Sequence, residues 1–190
     1  MASPAVQREV AATTLDFLLI ELVAQLAAAH STASTSQLKL EAIGFSVGQK
    51  LAERQTTART PFADTLDAIK YVCKEFWMDT FLKQVDNLRT NHRGVFVLTD
   101  NRVRWLATLS PSARAARDGA HARSEALVFA HFPCGLIRGA LAAFGIEASV
   151  SAEVSALPAC QFTVKVVQPA AGASTVAAAG VAHGRAGAPP

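Results

Sequence analysis

Gly44-Phe45-Ser46-Val47-Gly48 is the run in this 190-residue chain that most invites a chemical reading. It fits G-x-S-x-G, in which a serine on a sharp strand-to-helix turn becomes a nucleophile with an acid and a histidine behind it. That geometry needs a strand before the serine and a helix after it. Here Leu38 through Leu51 keep one helical period, so Ser46 falls inside a helix. Gly44 and Gly48 then read as a small-residue stripe that lets another backbone come close. The five histidines, at 30, 92, 121, 131 and 183, are scattered and form no ligand set with Cys or carboxylate. Cys73, Cys134 and Cys160 lack C-x-x-C spacing, which excludes a four-thiolate zinc site and a disulfide framework. Each falls on an apolar face and reads as a buried free thiol in a reducing compartment. No phosphate loop or dinucleotide fingerprint occurs. The residues alone therefore point to no catalytic, cofactor or metal site.

Recognition chemistry is denser in Asp86-Asn87-Leu88-Arg89-Thr90-Asn91-His92-Arg93-Gly94. The block reads as the connection between a helix and a strand, with Leu88 pointing inward. Asn87, Arg89, Asn91 and His92 are its candidates for contact with a partner, because binding residues concentrate on loops held by a rigid scaffold. A second candidate surface lies near the N-terminus. Leu15, Leu18, Leu19, Leu22 and Leu26 recur at helical spacing, and Phe17, Ile20 and Val23 make other sides of the same helix apolar too. A helix apolar nearly all round is buried or shared between a core and a partner.

The elements that must carry these residues follow from pattern. A helix is expected over 10–29; Asp16 and Glu21 inside it argue against a membrane span, and a signal peptide is not expected. A Ser/Thr-rich break follows at 30–36. A second helix is expected over 38–56 and a third over 62–85. Val95–Thr99 reads as a strand, Asp100-Asn101 as a two-residue turn, and Val103–Leu109 as the returning strand, because its apolar residues alternate. Residues 110–124 read as a surface loop or short helix. A fourth helix is expected over 125–144, bent or broken at Pro133 and stopped by Gly145. Strands at 146–154 and 160–166 close the domain. The expected organisation is one domain over 1–168 and a low-complexity Ala/Gly/Pro tail over 169–190, read as disordered. With 51% hydrophobic and 17% charged residues the chain as a whole is globular. A net charge of +3, from 18 Lys+Arg and 15 Asp+Glu, gives no reason to expect a nucleic-acid partner.

Several segments resemble, in order, the small subunits of the transport protein particle (TRAPP), the Bet-three superfamily, and within it the subunit 6 family. They are Ile43–Gln49, Lys74–Trp77, Lys83–His92, Val97–Asn101, Cys134–Gly139, Ala152–Val154 and Pro158–Cys160, over about Leu15 to Val167. The resemblance implies an α+β fold: a helical bundle, three helices and then a fourth, packed on a small twisted antiparallel sheet of about four strands. It implies a non-catalytic structural subunit of a vesicle-tethering complex in endoplasmic reticulum-to-Golgi and Golgi traffic, an assembly that promotes Rab GTPase nucleotide exchange. The implied partners are a Bet-three-type subunit, bound as a heterodimer, and other TRAPP subunits, with the GTPase met only through the assembled complex. The implied location is the cytoplasm, peripheral to cis-Golgi, trans-Golgi network and endoplasmic reticulum membranes. The Bet-three subunit carries an acylated cysteine before its third helix; the matching stretch here, Ala58-Arg59-Thr60-Pro61, has none. The alternative reading is a small module binding a lipid or other hydrophobic ligand. The chain departs from the family in a longer 110–124 segment, in Pro133, and in the tail from Pro169 to Pro190.

Overall fold

The Ser/Thr-rich run does separate two helices, but Ala33–Ser36 already belong to the second. In the computed structural model, which describes residues 11–29, 32–108 and 119–167, the first helix is α1, Ala12–Ala29, and the second is α2, Ala33–Thr56. α2 thus begins before the Leu38 start expected from periodicity. Ser36 is buried and its hydroxyl donates to the Leu26 carbonyl at 2.9 Å, while the Thr32 and Thr35 hydroxyls bond each other at 2.7 Å. The Ser36 hydroxyl satisfies one open carbonyl near the end of α1, so the run is a joint between two helices.

The third helix is shorter than the expected 62–85 and is in three pieces. α3 is Thr65–Tyr71, a π-helical turn covers Val72–Phe76, and α4 is Trp77–Phe81. It starts at Thr65 because the Asp64 carboxylate accepts the Asp67 N–H at 2.7 Å, capping the first turn. It stops where Leu82 turns left-handed at φ 59°. Inside the π turn, the Cys73 carbonyl accepts the Val85 N–H at 2.9 Å and draws the returning chain against the helix.

The sheet comprises β1 Asn87–Thr90, β2 Val95–Asp100, β3 Ala148–Glu153 and β4 Cys160–Val166, in the order β1-β2-β4-β3, with every neighbouring pair antiparallel. The α+β class holds, but two of its parts move. Asn87–Thr90 is a strand, where the sequence suggested a connection, and it forms the first hairpin with β2. Val103–Leu109 is not the returning strand: Arg104–Thr108 is a short helix, α5. The physical reason is that β2 already pairs with β1 on one side and β4 on the other. Val103, Trp105 and Leu106 are all buried, and burial of the adjacent pair Trp105 and Leu106 cannot be met by an alternating strand.

α6, Gly119–Ala143, runs unbroken through Pro133, against the expected bend or break. Phe132, Cys134, Leu136 and Ile137 are buried on either side of the proline, and that packing outweighs a backbone cost of about 3 kcal/mol. Residues 119–124 belong to this helix; residues 110–118 and the tail at 169–190 lie outside the described residues. Gly145, at φ +74°, ends α6 as expected, with the Ile146 N–H returning to the Leu141 carbonyl at 2.9 Å.

The inner face of the sheet and the helices enclose one aromatic core. Trp77 meets Phe81 at 4.4 Å and Phe162 at 5.6 Å between ring centroids, and Phe81 meets Trp105 at 4.8 Å. α2 and α6 make the closest crossing. A methyl group on Gly48 would meet Leu136 Cα at 2.8 Å, and one on Gly139 would meet Gln49 N at 2.9 Å, so the two helices touch backbone to backbone.

Candidate partner interface

α1 is seated by one side and bare on another. Leu19 is 3% exposed, and Leu15, Leu22 and Leu26 are half-buried against the core. Asp16 is buried beside them, and its Oδ2 accepts from Arg104 Nε at 3.2 Å and Nη2 at 2.9 Å, tying α1 to α5. Four of the five leucines singled out from sequence therefore hold the helix down. Leu18, 62% exposed, faces solvent together with Phe17 at 71% and Ile20 at 38%. On α2, Leu38 is 67% exposed, with Ile43 at 36% and Val47 at 37% one turn apart. The most regular stripe of a helix is the one that packs. The apolar residues off that stripe, visible in the sequence as Phe17 and Ile20, mark the face left for something else.

The remaining candidates sit at the sheet edge. Asn87 and Arg89 are exposed on β1, Leu88 is half-buried, and Asn91 and His92 are exposed in the turn that follows. Asn91 is largely committed to that turn: its Oδ1 accepts the N–H groups of Arg93 at 2.8 Å and Val95 at 3.1 Å. His92 takes φ +58° and Gly94 φ +81°, the left-handed steps that reverse the chain. The α1/α2 residues and the β1 residues therefore belong to different elements.

Two matching segments prove to be one joint. Ile43–Gln49 on α2 faces Cys134–Gly139 on α6, with the glycines interleaved and Arg138 bonding Glu41 at 3.3 Å while its guanidinium lies 5.0 Å over the Phe45 ring. A second joint gathers three segments around buried Asp100. It accepts from Trp77 Nε1 at 3.0 Å, Lys83 Nζ at 2.5 Å and the Arg102 N–H at 2.9 Å, and Lys83 also reaches Asp86 at 2.9 Å. Asp86 accepts the Asn101 N–H at 2.7 Å, and that bond, with Lys83 beside it, holds its carboxyl below the usual carboxylate range. Burial pulls the Lys83 pKa down, but its bonds to Asp100 and Asp86 outweigh this and leave it raised.

Neither Ser46 nor the three cysteines are set up as nucleophiles. Ser46 sits mid-helix on the exposed side of α2, without the strand-to-helix turn of a hydrolase. Cys73, Cys134 and Cys160 are buried, and burial pushes the Cys73 and Cys160 thiols up to about 12 and Cys134 higher still. Such thiols carry almost no thiolate at neutral pH. Among the described residues no three His, Cys, Asp or Glu are placed to share a metal ion. Ala126–Ala143 is long and apolar enough to cross a membrane, but 61% of it is buried and it serves as the core helix.

Residues 15–167 match the family model described as transport protein particle (TRAPP) component. The chain belongs to the TRAPP family. It is 48% identical over 128 residues to trafficking protein particle complex subunit 6b of Danio rerio, covering 67% of this chain and 77% of the relative. It is 41% identical over 156 residues to subunit 6A of Homo sapiens, covering 80% and 94%. The fold is also that of trafficking protein particle complex subunit 3 from Naegleria fowleri, a structure covalently bound to palmitic acid, at a TM-score of 0.65 and 13% identity over 82% of this chain and 94% of that one. As a TRAPP component of the subunit 6 kind, the chain is one that associates with other TRAPP subunits. The joints around Asp100 and between α2 and α6 are built from residues inside the matched span 15–167.

Proposed function

We propose that this chain is a non-catalytic structural subunit of a TRAPP vesicle-tethering complex, and that it pairs with a Bet-three-type subunit through the outward faces of α1 and α2. The observation that carries the reading is the set of exposed apolar side chains Phe17, Leu18, Leu38, Ile43 and Val47 on two helices whose other sides already fill the core. Covering side chains of this size stabilises by about 1.5–3 kcal/mol each before the costs of association are met. Family membership supplies the rest of the proposal: endoplasmic reticulum-to-Golgi and Golgi traffic, peripheral attachment from the cytoplasm, and promotion of Rab nucleotide exchange by the whole assembly.

The test is co-expression with a Bet-three-type subunit, read by size-exclusion chromatography with light scattering. A Phe17→Asp, Leu18→Asp double variant places charge only on exposed positions. It should retain wild-type circular dichroism and melting behaviour while the heterodimer is lost. Undiminished heterodimer with that variant sinks the proposal.

A further inference from the structure

Among the described residues β1 is an edge strand, with β2 on one side and no strand on the other. Its register decides what that edge offers. Asn91 donates its N–H to the Val95 carbonyl at 3.1 Å, and the pairing continues through Arg89 with Val97 and Asn87 with Thr99. Antiparallel pairs alternate in their bonding, so Asn87, Arg89 and Asn91 turn their backbone groups toward β2. The N–H and C=O of Leu88 and Thr90 point the other way. An edge with open main-chain groups is a template for one more strand.

Two further observations say what kind of chain fits. A cavity of about 320 Å³ has Leu66, Thr90, His92, Phe96, Val166 and Val167 among its lining residues. Thr90 is common to the cavity and the edge. On an added strand, the residue next to Thr90 on the inner face would lie over the cavity mouth, since side chains alternate and strands lie about 4.8 Å apart. The charge of the edge is positive. Arg89 and Arg93 are exposed, whereas the nearby Asp86 is occupied by Lys83 and the Asn101 N–H. The opposite edge, β3, carries Glu153 and no basic residue.

We infer that the free edge of β1 receives an extended, acidic segment of a partner protein as a fifth strand, bonded to the main chain at Leu88 and Thr90, with one apolar side chain of the segment seated in the cavity beside Thr90. This surface shares no residue with the α1/α2 face, so it allows a second partner to bind while a heterodimer is formed. Main-chain bonds to two residues give a short pairing. The apolar anchor and the basic residues therefore set the specificity.

The experiment uses the full chain and a randomised ten-residue peptide display library as the probe. Selection on the wild-type chain is compared with selection on Arg89→Glu, Arg93→Glu. Enriched peptides should be net acidic with an alternating apolar pattern. Added to labelled protein, they should slow amide hydrogen exchange at Leu88 and Thr90 at least tenfold. Their affinity should fall at least tenfold for the charge-reversed chain. It should fall likewise for Val167→Arg, which blocks the cavity from a position 56% exposed. Circular dichroism of both variants should match wild type, and both should still form the α1/α2 heterodimer. The inference is overturned if no peptide is enriched above the charge-reversed control. It is also overturned if the enriched peptides protect α1 and α2 amides instead, or if palmitate fills the cavity and the peptides leave Leu88 and Thr90 exchange unchanged. Loss of the heterodimer in the Phe17, Leu18 variant with β1 binding intact would separate the two surfaces.

Discussion

Replacing Gly139 by Ala sets two known effects against each other, and the structure says which wins. Within a helix, Ala is favoured over Gly by about 1 kcal/mol, so on an exposed helix the substitution stabilises. At Gly139 the new methyl would lie 2.9 Å from Gln49 N and 2.9 Å from the Phe45 carbonyl carbon, and closer still to the Phe45 oxygen. All three are backbone atoms of α2, so no side chain can swing aside. The helices must part, and the Gly44, Gly48 and Gly135 contacts along the same crossing loosen with them. Overpacking of this kind costs about 1–3 kcal/mol, occasionally more. With three backbone atoms inside 3.0 Å the cost falls in the upper part of that range, about 2–3 kcal/mol, and the expected net effect after the propensity gain is subtracted is a loss of about 1–2 kcal/mol. For a chain of this length that is a fall of roughly 2–8 °C in melting temperature. Urea denaturation should show a lower midpoint at unchanged slope. A Gly139→Ala chain that is more stable than wild type would refute the reasoning, because the backbones would then have room the geometry denies.

Two further outcomes follow from groups described above. Asp100→Ala leaves the Trp77 indole N–H, the Lys83 ammonium and the Arg102 N–H without their acceptor; the expected cost is about 3–5 kcal/mol, read from a thermal melt, and a cost under about 1 kcal/mol would show the network to be incidental. Burial keeps the His131 imidazole below its ordinary pKa of 6.5, with Glu41 opposing. The unfolded chain therefore takes up the proton first as pH falls, and stability should drop below about pH 6.5 while staying level above it. His131→Gln should flatten this part of the profile in denaturation curves at pH 5, 6 and 7. A wild type that gains stability over the variant as the pH falls would contradict the sign.

Leucines at helical spacing, the glycine stripe of α2, the Gly145 stop and the last two strands were legible because each depends on near neighbours in the chain. The glycines at 44 and 48 even announced a close backbone. They did not announce whose, since Gly135 and Gly139 lie far along the sequence and join them only through tertiary packing. The segments shared with the TRAPP family were readable as strings, but their purpose was not. Trp77, Lys83, Asp86 and Asp100 become one hydrogen-bonded cluster only once α4 and the first hairpin are folded together.

What the sequence determined by itself was the α+β class, the family, and the absence of a nucleophile elbow at Ser46, all of which rest on local pattern. Tertiary structure alone decided the rest. Val103–Leu109 alternates well enough for a strand, yet β4 takes the place beside β2, and burial of both Trp105 and Leu106 winds the segment into α5. Asn87–Thr90 has the polar composition of a connection, yet pairing with β2 makes it an edge strand with the backbone groups of Leu88 and Thr90 turned away from β2. Pro133 should break a helix, yet the buried side chains around it keep α6 whole. On α1 the two kinds of apolar residue are chemically alike, and only the packing distinguishes Leu19, which fills the core, from Phe17 and Leu18, which it leaves in water. In each case the competing local preferences differ by about the energy of burying one or two side chains, so the choice passes to whichever arrangement buries more.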